Sequence, residues 1–219
     1  MSLNDYCHKH IFQPLNLSNI SFFPTDDMKK RLMALNQRYT DGHMTQRPHL
    51  MRRPLLIPTG HEENPNVFNS AGAGCFAQPR DYVQIIATLL NNGTSPTTGA
   101  QLLKPATVDE MFKNQIPEFP NFARRPTAAA MPEFTNAIDE FYPQPADQPQ
   151  GWGLTFMLTI SPGDTGRGAN TGWWAGLMNA FWWADREKGV GGMVASQILP
   201  FGDAKVMGLW ADVEKCIYN

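Results

Sequence analysis

The histidines offer little chemistry. All five fall within the first 61 residues, and His8 and His10, two apart, would point to different faces of a helix rather than hold a metal together. His61-Glu62-Glu63 lacks the second histidine one helical turn on that a zinc protease needs. No Gly-x-Ser-x-Gly elbow, phosphate-binding P-loop or dinucleotide fingerprint occurs, and Gly72-Ala73-Gly74 reads as a turn of small residues. What stands out is aromatic. Trp173, Trp174, Trp182 and Trp183 crowd the stretch from Asn170 to Asp185. Indoles at that density form a buried sheet core, wall an apolar pocket, or make a platform on which sugar rings stack. The platform requires Trp173 and Trp182 to face solvent.

The elements that would position these residues follow from periodicity and punctuation. Pro24-Thr25-Asp26-Asp27 is a helix start, and Met28, Leu32, Leu35 and Tyr39 continue an apolar helical face. From Gly42 to Asn69 the pattern dissolves into a long irregular loop. A helix begins near Pro79, buries Tyr82, Ile85, Ile86, Leu89 and Leu90, and stops at Asn91-Asn92-Gly93. Another begins at Pro105, with Val108, Met111 and Phe112 facing inward. Seven prolines between Pro117 and Pro149 exclude regular structure over most of that span, which is a lid over a site or a disordered insertion. Trp152, Leu154, Phe156, Leu158 and Ile160 alternate as in a half-buried strand. Gly172–Ala184 and Val190–Leu199 are apolar and flank a charged loop, which predicts two antiparallel strands. Asp203, Val206, Trp210, Val213 and Ile217 mark a terminal amphipathic helix. The expected organisation is α+β: residues 1–116 mainly helical with irregular loops, 117–150 a proline-rich loop or lid, and 151–219 an antiparallel sheet plus C-terminal helix.

At 219 residues and 42% hydrophobic composition, the chain suits one packed domain or a large piece of a bigger one. A net charge of −2 without a basic stripe argues against nucleic acid, and no apolar run long enough to span a membrane is present. Cys7, Cys75 and Cys216 are odd in number and scattered, as in a reducing compartment. The first residues carry no secretory signature, so the expected location is cytoplasmic, and the sequons at Asn16, Asn19 and Asn92 are chance matches. No metal or cofactor is expected.

The segment from Asn170 through Asp185, continuing into Ser196-Gln197-Ile198-Leu199-Pro200-Phe201, resembles the C-terminal sheet of the serine β-lactamase/transpeptidase-like family. That family includes class C β-lactamases, related esterases and lovastatin-type transesterases. Trp174-Ala175-Gly176 stands where the esterase branch carries Trp-x-Gly and β-lactamases carry Lys-Thr-Gly. Further segments match in order: Tyr6 to Leu15 with its Pro-Leu turn, Ala71-Gly72-Ala73-Gly74 with Arg80-Asp81-Tyr82, Leu89 to Gly93, Leu102 to Met111, and Gly151-Trp152-Gly153-Leu154.

The resemblance implies an antiparallel sheet flanked by helices, and acyl transfer through a seryl ester. The family's nucleophile lies in Ser-x-x-Lys, where the lysine eases deprotonation of the serine. Ser2, Ser18, Ser21, Ser70, Ser95, Ser161 and Ser196 all lack a lysine three residues on. Tyr-x-Asn, the second motif, is also missing after Tyr6, Tyr39, Tyr82, Tyr142 and Tyr218. Both motifs precede this part of the family's chain, so the resemblance implies a C-terminal half whose N-terminal part is missing. It implies three roles: Leu177 donates a backbone N–H to the oxyanion, Gly176 lets the strand approach closely, and Trp174 and Ala175 line the acyl pocket. The implied substrate is a small-molecule ester or acyl thioester. Trp-x-Gly lacks the lysine that would hold a β-lactam carboxylate, which favours esterase or transesterase. In the family the last strand lies beside the first, so Val190–Ile198 is expected to form an open edge. The rival reading is a non-catalytic remnant that binds a ligand or partner.

Overall fold

The computed structural model describes residues 1–50, 68–122, 124–126, 128–139 and 144–219. The stretch 51–67, with His61-Glu62-Glu63 and most of the expected loop, lies outside the described residues. In chain order the elements begin with α1 (Leu3–Cys7), a π-helical turn at His8–Phe12, β1 (Ile20–Ser21), α2 (Asp26–Lys30), β2 (Leu35–Arg38), β3 (Met44–Arg47) and β4 (Phe76–Ala77). Then come α3 (Pro79–Leu90), α4 (Pro105–Met111), β5 (Gln150–Trp152), β6 (Met157–Thr159), β7 (Thr171–Gly176), β8 (Ala180–Asp185), β9 (Val190–Val194), β10 (Ile198–Leu199) and α5 (Ala204–Tyr218).

The body is an antiparallel five-stranded sheet in the order β5-β6-β7-β8-β9. Alternate residues serve opposite faces. Phe156, Leu158 and Ala184 pack with Ile86 of α3, and with Val108 and Phe112 at α4. Met157, Trp173, Phe181 and Trp183 pack with Val206 and Trp210 of α5. Phe181 stacks on Trp210 with ring centroids 4.4 Å apart. Gly191 and Gly192 let β9 serve both layers: a Cβ at Gly191 would lie 2.8 Å from Ile86 Cγ2, and one at Gly192 would lie 2.6 Å from the Trp183 ring. Trp173, which the sugar platform requires exposed, is buried, and this removes that reading.

Two buried polar arrangements fasten α5 to the sheet. Arg167 donates through Nε to Glu214 Oε2 at 2.8 Å and through Nη2 to Glu214 Oε1, with its guanidinium set against both the Trp173 and Trp210 rings. Both side chains are removed from water, so the pair is sound only while intact. Asp185, fully buried, accepts from Gly168 N at 2.7 Å, Lys188 N at 3.0 Å and the Tyr218 hydroxyl at 3.0 Å. Burial, and then the negative charge of Asp185, push the Tyr218 phenol above its usual range.

The helices opened by Pro79 and Pro105 and the helix capped by Asp203 form as expected. Five other elements differ. The helix capped by Thr25 ends at Lys30, and Leu35 to Arg38 form a strand instead. That strand pairs with β3 and, in parallel, with β10 more than 150 residues on, a remote pairing that overrides local helical spacing. The expected irregular loop from Gly42 therefore contains β3. The alternating run Trp152–Ile160 is a hairpin rather than one strand: Gly153 N–H donates to the Phe156 carbonyl at 2.9 Å, and Thr155 sits at φ 78°. Gly172–Ala184 is likewise a hairpin, β7 and β8, turning at Leu177-Met178-Asn179, and Val190–Leu199 splits between β9 and β10 in different sheets. The charged loop from Arg186 to Gly189 joins β8 and β9 as expected.

Candidate active site

Strand β7 leaves the core halfway along its length. Its last pair with β6 is Met157↔Trp173, whereas its pairing with β8 continues through Trp174↔Trp182, Ala175↔Phe181 and Gly176↔Ala180. β6 therefore has no residue opposite Trp174, Ala175 and Gly176, because the chain has already turned away at residues 153–156. The burial of β7 changes at the same point: Thr171, Gly172 and Trp173 are buried, and Trp174 is 37% exposed.

The sheet is thus left open beside the second half of β7, a groove in the ladder bordered by aromatic rings. Trp152 meets Trp174 edge to face, with centroids 4.8 Å apart at 79°, and Phe122 meets Trp152 at 5.7 Å and 76°. Leu177 opens the turn that follows, with its side chain 39% exposed. Its backbone N–H donates to no acceptor among the described residues. Among the described residues nothing crowds Gly176, where an added Cβ would lie 3.7 Å from its nearest neighbour. No packing within these residues demands a glycine there.

Phe122, Trp152, Trp174, Ala175, Gly176 and Leu177 carry no titratable group. The groove therefore offers an apolar wall and a backbone donor, and none of these six residues is a nucleophile. Ser21 is approached by His8 Nε2 at 3.3 Å, but it is buried and its hydroxyl donates to the Phe23 carbonyl at 2.9 Å. Ser196 is committed to the Met178 carbonyl at 2.7 Å. Burial pushes the Cys7 thiol up; Cys75 keeps part of its surface exposed, but its enclosed thiol is pushed up to about 12, so neither is a thiolate at neutral pH. A cavity of about 790 Å³ lies elsewhere, lined by residues that include Gln37, Arg38, Arg47, Glu133 and Asp203. Its charges are paired, Arg38 with Asp203 and Arg47 with Glu133, and it includes none of Trp174 to Leu177, so size alone does not make it the site.

The pattern of the Beta-lactamase family matches residues 1–214. The chain belongs to that family. It is 30% identical over 205 residues to a lovastatin esterase of Penicillium rubens, an alignment covering 91% of this chain and 46% of the relative. To acyltransferase calJ of Penicillium decumbens it is 28% identical over 218 residues, covering 95% of this chain and 46% of the relative. In structure it is similar to simvastatin synthase LovD of Aspergillus terreus in a mutant form, with a TM-score of 0.78, 23% identity, and coverage of 100% of this chain and 51% of that one. The fold is also that of EstCE1, a hydrolase with promiscuous acyltransferase activity, with a TM-score of 0.65, 17% identity, and coverage of 99% of this chain and 51% of that one. The chain spans about half the length of the curated relatives it matches.

The four site residues named from sequence, Trp174 to Leu177, are contiguous and all border the groove. Trp152 and Phe122 were missed. Trp152 reads in sequence as one more inward residue of a strand, and Phe122 as part of the proline-rich span; the turn at residues 153–156 sets Trp152 against Trp174, and Phe122 packs on Trp152 in turn. Among the described residues no helix is long and apolar enough to cross a membrane.

Proposed function

We propose that these residues form the oxyanion-donating, acyl-binding part of a serine esterase or transesterase that works through a seryl ester. In this reading the Ser-x-x-Lys nucleophile comes from a segment outside these residues and attacks the carbonyl of a small-molecule ester or acyl thioester lying along the second half of β7. The carbonyl oxygen then gains negative charge and receives the Leu177 N–H, a donor already oriented and carrying no competing bond. Collapse expels the alcohol or thiol and leaves the seryl ester, which passes its acyl group to an alcohol in a transesterase or to water in an esterase. Trp174 and Ala175, backed by Trp152 and Phe122, hold the apolar acyl chain. Three unpaired cysteines agree with a reducing, cytoplasmic setting.

The uncommitted Leu177 N–H at the open end of β7 carries this reading, and the likeness to an esterase and acyltransferases supports it. The test has two arms. The chain alone, incubated with a p-nitrophenyl ester, should show no covalent adduct by intact mass, whereas the chain joined to a Ser-x-x-Lys-bearing segment should turn the ester over. In the joined protein Leu177→Pro should lower activity by about 100-fold. Circular dichroism must show that the variant is folded, because proline also removes a backbone donor. A stoichiometric adduct on a serine of the chain alone, or full activity in a folded Leu177→Pro variant, overturns the proposal.

A further inference from the structure

The turn that presents Leu177 is held far more firmly than a hairpin requires. Leu177-Met178-Asn179 is a three-residue loop closed by the Gly176↔Ala180 pair, and its last residue lies at φ 54°. Such loops commonly end in the left-handed region, which glycine or asparagine satisfies through its backbone alone. Here the side chain is also engaged. Asn179 is fully buried, its Nδ2 donates to the carbonyls of Ile198 and Pro200 at 2.9 Å each, and its Oδ1 accepts from Gly202 N at 2.9 Å and Asp203 N at 3.0 Å. That uses both donors and both lone pairs of the amide. The opposite amide orientation would set oxygen against two carbonyls and nitrogen against two N–H groups, so only one orientation fits.

The partners of Asn179 are themselves anchored. Asp203 caps α5, accepting from Lys205 N at 3.1 Å and Val206 N at 3.0 Å through Oδ1, while its Oδ2 takes Arg38 Nε of β2 at 2.5 Å. A second bond secures the middle of the loop, where Ser196 Oγ donates to the Met178 carbonyl at 2.7 Å. The loop is thereby tied to the start of α5, to β2 and to the β9–β10 connection. None of these ties touches the groove or makes the turn itself; all of them restrict where the first residue of the loop can lie.

We infer that Asn179 is the positioning residue for the oxyanion donor, with Ser196 as its lesser support. This inference rests on the proposed role of Leu177. A catalytic donor must be held to within about half an ångström of its working place, and a loop anchored only at its strand ends would not meet that tolerance.

The experiment compares Asn179→Gly, which keeps the left-handed backbone accessible and deletes all four side-chain bonds, with Ser196→Ala, which deletes one bond and spares the buried amide. Both are made in the chain and in the chain joined to a Ser-x-x-Lys-bearing segment. In the joined protein Asn179→Gly should lower kcat for a p-nitrophenyl ester by at least about 10-fold and leave KM within about twofold, because the acyl wall is untouched. Ser196→Ala should give a smaller fall of the same kind, and it still decides the matter should the glycine variant fail to fold. In the chain itself the Leu177 amide should lose order in Asn179→Gly, its NMR order parameter falling from about 0.85 to about 0.6, while β7, β8 and α5 keep their exchange protection. Unchanged kcat in both variants, where Leu177→Pro is inactive, overturns this inference and leaves the oxyanion reading standing. Full activity in folded Leu177→Pro removes both. An unchanged Leu177 order parameter in the variants overturns the positioning role whatever the kinetics show.

Discussion

At the β5 edge of the five-stranded sheet, Gln150 N–H donates to the Pro120 carbonyl at 2.7 Å, Trp152 N–H to Asn114 Oδ1 at 3.2 Å, and Gln115 N–H to the Trp152 carbonyl at 2.8 Å. At the β9 edge, Val190 to Val194 pair with β8 on one side, and on the other no backbone bond is made among the described residues. One sheet therefore has one finished edge and one open edge. The finished edge is built by irregular chain: the tail of α4 and the start of the proline-rich span supply individual acceptors and donors without being a strand. The open edge is regular and half-buried, and it offers the ladder on which another strand could add. The proline-rich span, expected as a lid or an insertion, thus also works as an edge cover, and in doing so it brings Phe122 to Trp152.

The largest expected effect falls on the core that both edges share. Glu214→Ala leaves Arg167 charged and buried against two indoles, which should cost about 3–5 kcal/mol in a urea titration and weaken both edges together. A loss of under about 1 kcal/mol would show that the ion pair is not what fastens α5 to the sheet.

The edges themselves should differ by a smaller amount. In hydrogen exchange, the β9 amides not bonded to β8 should exchange about 100-fold faster than the Gln150 and Trp152 amides at the finished edge. Size-exclusion chromatography of the chain alone should show self-association through the open strand. A monomer with full protection along β9 would mean that its outer face is covered within the chain, and the contrast between the edges would fall.

The smallest effect is local to the finished edge. Asn114→Ala removes the acceptor of Trp152 N and Ile116 N and should cost about 1–2 kcal/mol. Because Trp152 packs on Trp174, the same change should shift tryptophan fluorescence, and β9 exchange should stay as it was. A stability loss without the spectral change would show that the edge cover does not position the aromatic wall.

Much of this protein is legible in its sequence wherever the determining contact is local. Pro79 and Pro105 open helices because proline suits the first turn, and Asp203 caps α5 because its carboxylate reaches the backbone N–H groups just ahead of it. The charged loop between β8 and β9, and the ordered resemblance ending at Trp174-Ala175-Gly176, needed no coordinates either. What sequence could not decide depends on partners far along the chain. Leu35 to Arg38 carry helical spacing and become a strand because Met44–Arg47 and Ile198–Leu199 offer ladders. Leu177 and Met178 hide a turn because apolar residues give no turn signal, and Asn179 alone marked it. Trp173 and Trp174 are adjacent and chemically identical, yet one is core and the other walls the groove. The end of β6, the finished edge beyond it and α5 on the opposite face make that distinction. Side-chain alternation sends neighbours to opposite faces, but only the packed structure determines which face is covered.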